Sequence, residues 1–197
     1  MQPTPSVGIV ILAAGESKRL GQPKQLLPYR GTTLLGHVIG TALASQACQT
    51  VVVLGAYAES IRNEIGKLPI TIVENSNYRG GMATSIALGI ATLEQSDIVP
   101  SAALLTTCDQ PYVSSDLIDK MIVAYSGEPD RIVACKYDST VGVPALFDRS
   151  CFAELKRLQG DHGARSVIES HSDHLVTVDF PKGSVDIDRI EDVDRSL

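Results

Sequence analysis

Short apolar runs alternate with stretches of helical spacing along most of the 197-residue chain. Residues 7–12 (VGIVIL), 50–54 (TVVVL), 70–73 (ITIV) and 102–107 (AALLTT) carry apolar side chains without a period of two. Such runs are strands covered on both faces, as in a mostly parallel sheet. Between them, residues 33–47, 58–66 and 82–94 repeat apolar positions at helical spacing. Strand and helix alternating in this way predict right-handed crossovers and a three-layer α/β/α sandwich. After a helix over 114–125, with Ser114 at its cap, the texture changes. Residues 131–136 and 141–147 read as a small β-hairpin extension rather than another crossover, 150–158 and 164–170 as helices, and 175–178 as a strand. No repeat, low-complexity tract or linker interrupts the pattern, so 1–197 is expected to form one domain.

Composition narrows the class. At 44% apolar and 20% charged residues, the chain is neither disordered nor membrane-embedded. A chain of this size buries roughly 70% of its unfolded surface, enough for one sizeable core. The longest apolar stretch, 7–15, is too short to span a bilayer, and no basic residue precedes it as in a signal peptide. The four cysteines at 48, 108, 135 and 151 form no CxxC pair, which fits reduced thiols in a cytoplasmic protein. A net charge of −6, no Trp and 5% aromatic residues argue against nucleic acid as a partner.

The strongest chemical signal is LAAGESKRLGQPKQLLP at 12–28, which directly follows the first strand. Open α/β sheets place their ligand crevice there. Gly15 and Gly21 permit sharp turns that bring N–H groups to phosphate oxygens, and Ser17 adds a hydroxyl. Lys18, Arg19 and Lys24 supply cations for a polyphosphate. Residues 15–31 hold four cations against Glu16, a net of +3 within an acidic chain. A Walker A loop is excluded because Gln22 follows Gly21, and GxGxxG is absent. The plain alternative is a basic surface loop.

The loop resembles the signature LAxGxSxRxGxxKxLLP of the MobA-like nucleotidyltransferases. Further matching stretches are GMATSIALGI (81–90), TCDQP (107–111), GDHGAR (160–165) and DIDRIEDV (186–193). Ala13-Ala14, GMATS and CDQP are most similar to the branch that transfers CMP from CTP to molybdopterin. The resemblance implies a Rossmann-like fold, Mg²⁺ with Mn²⁺ as a substitute, an NTP (CTP first) and molybdopterin as substrates, and a molybdenum hydroxylase as recipient of the product.

Attack on an α-phosphate needs a divalent cation to offset anionic repulsion. Asp109 follows an apolar strand and precedes Pro111, so it belongs at the carboxyl edge of the sheet. By resemblance it is a metal ligand. Asp186 and Asp188, two apart, would share one face of a strand, and the residues alone leave both open. The resemblance favours Asp188, although Arg189 stands where the family usually has Thr, and Asp188 also suits the cap of a helix starting near Ile190. Carried over in the same way, Arg19 and Lys24 act with Asp109 in catalysis. Leu12, Ala13, Ala14, Gly15, Ser17, Gly80, Gly81 and Ser85 then surround the nucleotide, with Thr84 beside Ser85 either reading the base or opening a helix.

Gly163 and Arg165 are candidates for the anionic acceptor, within a wall spanning residues 136–170. Relatives often have GHP where this chain has Gly142-Val143-Pro144, so any acceptor contact of that His is lost or supplied elsewhere. The HxxH pair His171 and His174 lacks a third ligand and reads as solvated or locally bonded. Cys108 has no adjacent His and reads as packing. Alternatives within the chemistry are GMP transfer to molybdopterin and nucleotidyl transfer to a sugar or polyol phosphate. The alternative of another class is a non-catalytic molybdenum cofactor carrier or insertion chaperone.

Overall fold

A computed structural model describes residues 5–125, 127–187 and 192. The strands are β1 (Val7–Ala13), β2 (Pro28–Tyr29), β3 (Thr32–Thr33), β4 (Gln49–Leu54), β5 (Thr71–Glu74), β6 (Ala102–Thr107), β7 (Ile132–Tyr137), β8 (Thr140–Asp148) and β9 (Leu175–Asp179). The α-helices are α1 (Leu34–Leu43), α2 (Ala58–Ile65), α3 (Met82–Glu94), α4 (Ser115–Ala124), α5 (Phe152–Leu155) and α6 (Arg165–Ser170). Seven strands form one sheet in the order β5-β4-β1-β6-β8-β7-β9. Strands β5, β4, β1 and β6 run parallel, β8 is antiparallel to β6 and β7, and β9 is parallel to β7.

Period-two geometry turns the apolar runs into two cores. Successive side chains of β1 point to opposite faces. Ile9 and Ile11 join Leu35, Ile39, Ile61, Ile118 and Met121 on the side of α1, α2 and α4. Val10 and Leu12 join Ile86, Ile90, Phe152 and Val167 on the side of α3, α5 and α6. All seven residues of β1 are buried, which is why its sequence shows no polar alternation. The three-layer α/β/α sandwich expected from the pattern is present.

Several details differ from the expectation. The hairpin exists, with a turn at Asp138 and Ser139, but it is built into the main sheet because β8 pairs with β6. The first helix starts one residue later, since Thr33 caps it by accepting from the Gly36 N–H at 3.0 Å. Ser114 caps α4 in the same way through Leu117. The helix expected over 150–158 is a 3-10 turn (Arg149–Cys151) followed by the short α5. The hairpin β2–β3 was not expected; Arg30 and Gly31 at its tip both have positive φ, as two-residue hairpin turns require. No described helix is long and apolar enough to cross a membrane.

Gly89 sets how closely α3 lies on the sheet. A Cβ there would stand 2.4 Å from Val10 Cγ1 and 3.2 Å from Val53 Cγ2. Alanine improves helix propensity by about 1 kcal/mol, whereas overpacking a core costs about 1–3 kcal/mol. Val10 has little rotamer freedom to move aside, so the second effect should win. Gly89→Ala is expected to destabilise the protein by about 1 kcal/mol, read as a lower urea midpoint at unchanged slope.

Candidate functional site

The pairing of β1 with β6 in the register Leu12 with Thr107 brings the ends of the two strands side by side. The chain leaves β1 through Ala14 and Gly15, and β6 through Cys108 and Asp109. A crevice of about 280 Å³ opens at this carboxyl edge, lined by Leu12, Ala14, Gly15, Lys24, Ser85 and Asp109 among others.

The basic loop is held from beneath by Gln25. Its fully buried side chain donates from Nε2 to the carbonyls of Ala13 (2.8 Å) and Gly15 (3.1 Å). Gln25 itself lines the crevice, so these bonds fix the loop at the crevice wall. The Ser17 hydroxyl accepts from the Lys24 N–H at 3.0 Å, and the Ser17 carbonyl accepts from Leu20 and Gly21. These bonds fold the loop back so that Lys24 lies over Asp109. Lys24 Nζ donates to Asp109 Oδ2 at 2.5 Å, with side chains only 15% and 20% exposed. An ion pair this sheltered is screened less than a surface pair. The oxygen donor suits a hard divalent ion, and an ammonium already lies where a cation would balance the carboxylate. Asp109 therefore fits as a metal ligand.

Cys108 is buried, and burial together with the neighbouring Asp109 carboxylate pushes its thiol up to about 12. It stays protonated and is packing rather than a nucleophile.

The opposite wall is the start of α3. Gly81 takes φ +99°, and a Cβ there would lie 2.1 Å from the Gly160 carbonyl oxygen. That carbonyl accepts from the Ala83 N–H at 3.1 Å, which seats the 160–161 turn on the helix and brings Asp161 to the crevice. Buried Asn75 donates to the hydroxyls of Thr84 (2.8 Å) and Ser85 (2.9 Å). Thr84 also donates to the Gly81 and Asn77 carbonyls, whereas Ser85 lines the crevice.

The sequence-derived residues thus divide. Leu12, Ala14, Gly15, Lys24, Gly81, Ser85 and Asp109 line one crevice, and Ala13 holds its floor through Gln25. Ser17 and Arg19 line an adjoining depression that shares Lys24 and Glu16 with it. Gly80 lies in the turn before α3, outside the crevice lining. Gly163 packs toward Met82, whose sulfur would be 3.3 Å from an added Cβ. Arg165 opens α6, 66% exposed, with Nε bonded to Glu169 Oε1 at 2.9 Å on its own helix. Asp186 is exposed, and the next residue, Ile187, donates its N–H to the Asp109 carbonyl at 2.9 Å. Asp188 lies outside the described residues. His171 is bonded locally, with Nε2 2.7 Å from Glu154 Oε2, and His174 joins no three-ligand cluster among the described residues.

Sequence reasoning missed Gln25, Asn75, Asp161 and Glu16. Glu16 lines the crevice and pairs with Lys18 at 2.9 Å and Arg79 at 3.4 Å, so part of the loop's positive charge is compensated locally. The only available signal for Gln25 was its place between Lys24 and the apolar pair Leu26 and Leu27.

Residues 9–175 match the family described as MobA-like NTP transferase domain. The chain is 32% identical to nicotine blue oxidoreductase of Paenarthrobacter nicotinovorans, across 98% of this chain and 97% of that protein. It is 24% identical to the molybdenum cofactor cytidylyltransferase of Escherichia coli K12, across 95% and 93% of the two chains. A Mycobacterium tuberculosis protein solved in complex with manganese superposes with a TM-score of 0.77 at 30% identity, covering 98% of both chains.

The contact between Gly81 and Gly160 is testable. Gly81→Ala forces a Cβ against a carbonyl and strains a left-handed backbone, and should cost about 1–3 kcal/mol. The expected result is a lower Tm and faster hydrogen exchange at the Ala83 amide.

Proposed function

The chain belongs to the MobA-like NTP transferase domain family of nucleotidyltransferases, and on that premise we propose that it transfers CMP from CTP to the terminal phosphate of molybdopterin, releasing pyrophosphate. The observation that carries the reading is the Lys24–Asp109 pair beside Gly15 at the carboxyl edge of the sheet. It sets a cation for phosphate and a carboxylate for a metal ion in one crevice.

In this reading Lys24 leaves Asp109 for the β- and γ-phosphates, and Arg19 reaches the same charge from the adjoining depression. Both then stabilise the charge that grows on departing pyrophosphate. Asp109, with Asp186 or Asp188, would hold Mg²⁺ or Mn²⁺, which supplies positive charge across the triphosphate. Backbone groups of Leu12, Ala13 and Ala14, together with Gly81 and Ser85, frame the base. Gly163 and Arg165 flank the acceptor.

A phosphate monoester oxygen, ionised near neutral pH, forms the new bond to the α-phosphorus. The bond to the bridging oxygen breaks, and its electron pair leaves with pyrophosphate. No thiol or histidine base is required, in keeping with the protonated Cys108. A molybdenum hydroxylase would receive the product.

The likeness to nicotine blue oxidoreductase at 32% identity favours a second reading, in which the same crevice serves an oxidation–reduction reaction. A pyrophosphate-release assay with each NTP, and with molybdopterin or a sugar or polyol phosphate, separates these. CTP with molybdopterin is expected to give the fastest release. A preference for GTP or for a sugar phosphate would reassign the substrates, binding of molybdopterin without release would indicate a carrier, and silence with every pair would favour the redox reading. Asp109→Ala should remain folded by circular dichroism and lose about 100-fold or more of turnover. Full retained activity would overturn the metal assignment.

A further inference from the structure

A second cluster of metal-ligating groups lies at the other edge of the sheet. One ligand atom from each of Asp130, Cys151 and His171 falls within 4.8 Å of the other two. Asp130 precedes β7, Cys151 follows β8, and His171 follows α6 on the way into β9. Because Asp148, at the end of β8, pairs with Ala102, at the start of β6, the cluster sits at the edge where the parallel strands begin. The crevice is where they end.

Each member is held in place. Asp130 has φ +61°, an uncommon conformation for a residue with a side chain, and its N–H donates to Ser150 Oγ at 2.8 Å. Cys151 is 1% exposed. His171 is oriented by Glu154, whose Oε2 lies 2.7 Å from Nε2, and Glu154 Oε1 accepts from the Ser170 hydroxyl at 3.1 Å. A carboxylate on one ring nitrogen is the usual support of a ligating imidazole, because it leaves the lone pair on the other nitrogen. Here that nitrogen is Nδ1.

We propose that Asp130, Cys151 and His171 form a binding site for a zinc-like divalent cation, separate from the crevice and oriented by Glu154. One thiolate, one imidazole and one carboxylate make a mixed donor set of borderline softness, which suits zinc or cobalt and not magnesium. Tetrahedral zinc places such donors about 3.5 Å apart, so the cluster needs to contract by little more than about 1 Å. On binding, the Cys151 S–H bond breaks, its proton goes to solvent and the electron pair goes to the metal. Without metal, burial pushes that thiol up to about 11, so it is not a reactive cysteine. The ion would join the start of β7, the end of β8 and the entry to β9, pinning the edge of the sheet.

The test uses the full chain carrying Asp109→Asn, which removes the metal ligand proposed for the crevice. Metal analysis after dialysis against zinc is expected to give one equivalent per chain, lost in His171→Ala and in Cys151→Ser. Cobalt should give a thiolate-to-metal charge-transfer band that disappears in Cys151→Ser. If buried Cys151→Ser fails to fold, the partly exposed His171→Ala and Asp130→Asn carry the test. Zinc at about 100 times its Kd should raise Tm by about 5–10 °C, and not in His171→Ala. No cobalt–thiolate band, or zinc stoichiometry unchanged by His171→Ala, overturns the proposal.

Discussion

The pairing of β1 with β6 is the constraint on which the crevice depends. Leu12 opposite Thr107 fixes which residues emerge together at the end of the sheet. A slip of one residue would exchange the two faces of β1, sending Ile9 and Ile11 among the partners of Val10 and Leu12. Both faces are fully packed, so apolar burial on either side locks the register. Core packing and the meeting of Gly15 with Asp109 are therefore one fact seen from two ends of the strand.

What the strands bring close, a few polar groups make exact in angle. Gln25 acts on the loop as Asn75 acts on the opposite wall: each is a buried amide whose hydrogen bonds stop a turn from relaxing into solvent. Breaking these bonds would leave buried amide groups without partners, which is costly, so the Nε2 bonds of Gln25 and the side-chain bonds of Asn75 hold one arrangement. The Lys24–Asp109 pair completes the framework by giving each charge a partner under partial shelter from water.

The sheet was legible because doubly covered strands read as unbroken apolar runs, and 7–12, 50–54 and 102–107 did so plainly. Asp109 was legible through its place between such a run and Pro111. Gln25 was not, since a buried glutamine looks like any polar loop residue until its acceptors are known. The carbonyl of Gly160 against Gly81 is a contact between distant segments, and no local spacing encodes it. By helical count the neighbour of His171 is His174. The fold instead set His171 beside Glu154, Cys151 and Asp130, which no periodicity connects. The strand pair at 131–136 and 141–147 was legible, but its antiparallel docking on β6 depends on which sheet edge remained open.

The bond from Ile187 to the Asp109 carbonyl ties the far end of the described chain to the crevice. Ile187 follows Asp109 by 78 residues, and Asp109 follows Gly15 by 94. Such a distant closure is paid for in loop entropy before packing rewards it. The crevice thus reaches its final form by a long-range closure, over a sheet whose register is already locked by its own packing.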